Sequence, residues 1–229
     1  MHALPRKVGS IMIVFMTHHE IFTNSIMRRH FIKCMTTVAL VASFPQLARG
    51  SNPSIENAVT PRILGKSDAP VQVAEYYSMT CGHCADFHNN IFPIVKSKLI
   101  DTGIVRFEKR PFPLDGLALR AHALVRSVSQ KKYFPLVKLL LAQQPTWVRA
   151  ADPLFALMKI GRLAGVSGES FDATMRNREL LEAIVALKQE GIDDWQIAST
   201  PSFVVNNKEV LSGNMSYEDF AERLSAFGA

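Results

Sequence analysis

The sequence predicts an α/β fold: a central mixed β-sheet, flanked by helices and interrupted by an inserted all-helical subdomain. Three observations lead there. A mostly apolar run, Val71 to Tyr77, has the length of a buried strand and leads straight into Cys81-Gly82-His83-Cys84, which opens a helix. A second strand-like run, Gly103 to Lys109, follows that helix, and the three make a β-α-β unit with a right-handed crossover. Strand signal then vanishes from Leu114 to Ala198 and returns at Ser202, the pattern of helices inserted into a sheet domain.

Taken in order, residues 51–61 are polar and read as a loose lead-in. Ile63 to Gly65 begins an edge strand, and Lys66-Ser67-Asp68-Ala69-Pro70 marks a turn. The helix that starts near Cys81 runs to about Leu99, with Cys84, Phe87, Ile91 and Val95 on its inward face at helical spacing. Pro93 lies inside it, removes one N–H and predicts a kink. In the insertion, Leu117, Ala121, Leu124 and Val128 form one apolar stripe, and Phe134, Val137 and Leu141 form another whose helix begins late or bends at Pro135. Asp152-Pro153 is an N-cap and N1 pair opening a third helix that Gly165 closes, and Leu180, Ile184 and Leu187 mark a fourth. Ser202 to Val205 and Glu209 to Leu211 flank Asn206-Asn207, which tolerate positive φ, and read as a hairpin. Ser216 caps a last helix with Phe220 and Leu224 facing inward. The sheet domain is thus expected over 62–113 and 199–227, with the helical insertion at 114–198.

The formal charge of +6 invites a nucleic-acid reading, but its location argues against one. Residues 1–50 carry +5 and the remaining 179 residues only +1, so the folded part is near neutral and has no basic face. The charged segment has the form of an export signal. Arg28-Arg29-His30-Phe31-Ile32-Lys33 precedes an uncharged stretch of 11 residues, Cys34 to Phe44, and Ala48-Arg49-Gly50 supplies small residues for cleavage. The stretch is too short for a lasting membrane span, and no other segment reaches the length of one. The Arg-Arg-x-Phe-Ile-Lys run is twin-arginine-like, and a general secretory signal is the alternative. Residues 1–26 fit no signal pattern, so the expected start is Met27 and the expected signal is 27–50.

Loss of that signal removes Cys34 and leaves two cysteines, both in the motif. An exported chain with one C-x-x-C and no other cysteine has a redox pair rather than a structural cross-link. Two thiols three residues apart on a helix's first turn fall within the Cα separation a disulfide tolerates. The helix N-terminus presents unpaired N–H groups and a partial positive charge, which favour the thiolate, the species that attacks disulfides.

The order of elements, together with Glu-Tyr-Tyr-Ser-Met-Thr-Cys-Gly-His-Cys (75–84) and Thr-Pro-Ser-Phe-Val-Val-Asn (200–206), resembles thioredoxin-fold proteins of the DsbA type. These are exported bacterial oxidases that introduce disulfides into other proteins. The resemblance implies that Cys81 is the exposed attacking sulfur and Cys84 the buried resolving one, with His83 available to donate to the Cys81 sulfur. It implies that Pro201 is a cis-proline, that Thr200 offers backbone groups to an extended substrate, and that Glu75 is a buried acid relaying protons to Cys84, paired with Lys109. An ordinary trans proline and a strand carboxylate reaching solvent are the plainer readings of Pro201 and Glu75. The implied partners are reduced or unfolded exported proteins and a membrane quinone-linked reoxidant of the DsbB type. The sulfurs carry the chemistry, so no metal, nucleotide or flavin is expected. Gly82 stands where many members have proline, and Gly-His between the cysteines also resembles protein disulfide isomerases.

Other readings stay open at this point. A disulfide reductase or isomerase of the same fold is the nearest, but only about 20 residues separate the expected cleavage point from the first strand, too few for a dimerisation domain. A monomer is therefore expected. Cys81, Cys84 and His88 have spacings that suit three zinc ligands, whereas a structural site usually takes four and no second Cys/His cluster is present. A peptide-binding module with incidental thiols is the third. His88 otherwise reads as a surface or partly packed histidine, and His122 as a residue of an amphipathic helix.

Overall fold

The computed structural model describes residues 55–229, so the proposed signal and the doubtful extension before it lie outside the described residues. Five strands form one mixed sheet in the order β1-β3-β2-β4-β5. They are β1 (Arg62–Leu64), β2 (Val71–Tyr77), β3 (Val105–Pro111), β4 (Ser202–Val205) and β5 (Glu209–Ser212). Only β2 and β3 are parallel, joined by the crossover the sequence predicts; β1 at one edge and β4-β5 at the other run antiparallel to their neighbours. The β4-β5 hairpin turns on Asn206 and Asn207, both at positive φ.

The β2–β3 register pairs Val71 with Val105, Val73 with Phe107 and Glu75 with Lys109. Because strand side chains alternate, all six point to one face. The four apolar members pack there with Phe87, Phe92, Val95, Phe203, Phe220 and Leu224. That places a carboxylate and an ammonium at the end of an otherwise apolar row, directly below the cysteine motif.

The helix after the motif is continuous but not uniform. It starts as α2 (Gly82–Asp86), passes through a π-turn at Phe87–Ile91, returns to α-geometry in α3 (Phe92–Val95) and ends in a second π-turn at Lys96–Ile100. The first π-turn lies immediately ahead of Pro93, which has no N–H to give. It also corrects the expected inward face. The extra residue per turn carries Ile91 to a half-buried position and brings Phe92 into the core with Cys84, Phe87 and Val95.

The insertion holds six helices where four stripes were visible: α4 (Gly116–Arg126), α5 (Gln130–Ala142), α6 (Gln144–Val148), α7 (Pro153–Leu163), α8 (Gly168–Arg176) and α9 (Arg178–Trp195). The short α6 and the polar α8 carry too little apolar periodicity to read. Helix α5 begins at Gln130, ahead of Pro135. Asp152 caps α7 through a 2.9 Å bond from the Phe155 N–H, and Gly165, at φ +81, ends it. Helix α10 (Tyr217–Ser225) is capped by Ser216, with Phe220 and Leu224 buried. The lead-in is not loose throughout. Its second half forms α1 (Ile55–Val59), where the Arg126 guanidinium donates to the Ala58 and Thr60 carbonyls and Ala58 packs with Leu180 and Ile184.

Candidate active site: a thiol pair over a buried ion pair

Cys81 is the N-cap of α2, with extended backbone (φ −78°, ψ 119°), so its side chain lies across the helix terminus. The sulfur collects donors there. A hydrogen bond from the Cys84 thiol is the largest, followed by interactions with Thr200 and the backbone N–H groups of Cys84 and His83. Against the burial of a half-covered group, these hold the Cys81 thiol down at about 5. When protonated, Cys81 Sγ donates to the Thr200 carbonyl at 3.2 Å. The buried Thr200 hydroxyl makes no hydrogen bond among the described residues. The Thr200–Pro201 bond is cis, and Pro201 begins the turn into β4. His83 serves the sulfur through its backbone N–H, while its imidazole stands exposed.

Cys84, one turn further along, has no exposed surface. Burial drives its thiol far above the ordinary range, and both its bond to Cys81 and the charge of Glu75 push the same way. The two sulfurs therefore differ sharply in acidity. One helical turn separates a stabilised anion from a held proton.

Beneath them Lys109 Nζ meets Glu75 Oε2 at 2.5 Å, with both side chains wholly buried. Burial raises Glu75 and lowers Lys109, each against the attraction of the other. Glu75 Oε1 has no hydrogen-bond partner. Lys109 Nζ also sits 3.9 Å from the centre of the Tyr77 ring.

The structure brings Cys81, Cys84, Thr200, Pro201, Glu75 and Lys109 to one end of the sheet. His88 is buried rather than a surface or partly packed residue, stacked on Phe92 at 4.7 Å between ring centres, its imidazole held neutral by burial and by Lys109. Among the described residues no group of three or more His, Cys, Asp or Glu side chains is placed to hold a metal ion. His122 is fully buried against Tyr77, and burial lowers it to about 3.

Sequence reasoning missed the polar shell around this site. Tyr77 and Tyr133 join hydroxyls at 2.9 Å, and the buried Arg62 and Arg126 lie over the Tyr133 ring. Thr80 donates to Asp115 at 2.7 Å, tying the loop before Cys81 to the start of α4. Gln144 donates to the backbone of that same loop. Only Asp115, a capping residue before an apolar stripe, carried a readable signal.

A strand running into a helix-capping C-x-x-C, with a helical insertion before an X-Pro strand, is the arrangement of thioredoxin-fold redox proteins. The family model described as thioredoxin matches residues 57–226, and the chain belongs to that family. Within it the likeness is to DsbA-type proteins. The chain is 34% identical over 157 residues to a Rickettsia conorii protein named for protein-disulfide oxidoreductase activity, covering 68% of this chain and 56% of that one. It thus spans little more than half the length of that relative. The thiol:disulfide interchange protein DsbA of Salmonella typhimurium is 30% identical over 151 residues, covering 62% of this chain and 70% of its own. The crystal structure of Wolbachia pipientis alpha-DsbA1 superposes with a TM-score of 0.67 at 28% identity, covering 73% of this chain and 90% of its own.

Proposed function

We propose that the chain is an exported thiol:disulfide oxidase that passes a Cys81–Cys84 disulfide to reduced proteins. The observation that carries this reading is the placing of the two sulfurs, Cys81 half-buried at the helix N-terminus beside the Thr200 carbonyl and Cys84 wholly buried one turn on. A substrate thiolate attacks Cys81 Sγ, the S–S bond breaks, and Cys84 leaves with the electron pair. Cys84 needs a proton as it leaves, and Glu75, raised by burial and with no partner on Oε1, relays one to it, its carboxylate held by Lys109 before and after the transfer. A second substrate thiolate then attacks the substrate sulfur of the mixed disulfide, and Cys81 departs as a stable thiolate. The substrate loses two electrons and two protons; the protein keeps both electrons and one proton, and solvent takes the other.

The Thr200 backbone beside the sulfur supports docking of an extended substrate segment, with Pro201 turning the chain there. The partners on this reading are unfolded exported proteins and a quinone-linked reoxidant of the DsbB type. The 27–50 segment would supply export, and the protein would act as a monomer. The Gly82-His83 pair favours isomerase as the second reading.

Oxidative refolding of reduced ribonuclease tests the assignment. The disulfide form of the wild-type chain is expected to restore ribonuclease activity, and Cys81→Ala to abolish the effect. Cys84→Ala, which cannot form the internal disulfide, is expected to donate none and to be equally inactive. Full activity of Cys81→Ala would overturn the reading.

A further inference from the structure

One side chain of the insertion reaches the backbone that presents the reactive sulfur. Gln144, 6% exposed in α6, uses its Nε2 to donate to the Met79 carbonyl at 2.8 Å and to the Cys81 carbonyl at 2.9 Å. We propose that Gln144 is a positioning residue for thiol–disulfide exchange, clamping the backbone on both sides of Thr80 so that Cys81 Sγ stays at the mouth of α2.

The geometry makes the clamp specific. Cys81 is an N-cap with no side-chain cap bond of its own, and its carbonyl already accepts the first helical bond, from the Ala85 N–H at 3.1 Å. The Gln144 amide occupies the carbonyl's second lone pair. Two donors on one carbonyl fix its plane, and that plane sets ψ of Cys81. The same angle decides whether the N–H groups of His83 and Cys84 face the sulfur. The second bond, to Met79, pins the residue where β2 hands over to the loop.

The loop's other side-chain ties fall on different groups. Thr80 is held through its hydroxyl to Asp115, and Ser78 Oγ meets the Thr80 and Leu114 N–H groups at 3.4 Å. Gln144 itself stands on a firm base. Trp147, in the same short helix, is wholly buried and donates to the Leu140 carbonyl at 2.8 Å. A clamp on a rigid element holds geometry more closely than one on a mobile loop.

Replacement by methionine keeps the volume and removes both donors, which makes Gln144→Met the informative variant. In the reduced full chain, thiolate absorbance across pH is expected to show Cys81 half-ionised about one pH unit higher than wild type, a tenfold loss of thiolate stabilisation. A thermal melt verifies that the variant is folded. A folded variant with unmoved half-ionisation would overturn the clamp. Should Gln144→Met fail to fold, the wild-type chain answers by nuclear magnetic resonance. Scalar couplings from the Gln144 side-chain amide to the carbonyl carbons of Met79 and Cys81 are expected, and their absence would overturn the clamp. The inference rests on Cys81 as the reacting sulfur. An ordinary half-ionisation in wild type would sink that assignment, whereas a depressed wild-type value left unmoved by the substitution would sink only the clamp.

Discussion

At the scale of single residues, the site works by contrast between neighbours of the same chemical type. Cys81 and Cys84 are both thiols within one helical turn, yet one sits where backbone donors converge and the other in the apolar interior. The same contrast governs the ion pair below them. Lys109 and Glu75 lie without exposed surface, so each depends on its partner. Lys109→Met would leave the Glu75 carboxylate buried and unpaired. The folded state then holds that proton more tightly than the unfolded chain, whose glutamate titrates near ~4.3. Stability should therefore be nearly normal in acid and fall as pH rises above that value, reaching a deficit of up to about 3.5 kcal/mol at neutral pH. Urea midpoints across pH would check it; a deficit that grows toward acid would be the wrong sign. The cysteines were legible in the sequence because their spacing is itself the chemistry. Gln144 was not, because its partners Met79 and Cys81 lie 65 and 63 residues away and nothing local marks it.

At the scale of elements, strand register does most of the assembly. A run of alternating side chains in β2 places Val71, Val73 and Glu75 on one face, and parallel pairing sets Lys109 beside Glu75. The strands, the hairpin turn at Asn206-Asn207 and the caps at Asp152 and Ser216 were readable because each is a local signal. The stripe on the helix after Cys81 was misread at Ile91 because a period of 3.6 residues does not hold through a π-turn. The loose lead-in was misread because tertiary bonds from Arg126 order it. On the sheet's opposite face α9 comes close enough that a Cβ on Gly191 would stand 2.4 Å from Tyr76 Cε1. Gly191→Ala is thus expected to destabilise by about 1–3 kcal/mol despite alanine's better helix propensity, read from denaturant midpoints. A gain in stability would show that α9 is free to move off the sheet.

At the scale of the whole molecule, the described chain is a mixed sheet with a helical insertion braced against the end that carries the two thiols. The presence of an insertion followed from where strand signal stops and resumes. How the insertion meets the thiol loop did not, since the contact is made by one glutamine in a five-residue helix. On the proposed function, this scaffold makes the disulfide an oxidant by stabilising the thiolate that reduction leaves behind. Equilibration of the purified full chain with a glutathione series measures that directly. The Cys81 thiolate, held down at about 5, places the potential above thioredoxin's about −270 mV. A value at or below thioredoxin's would contradict the claim and make the protein a reductant.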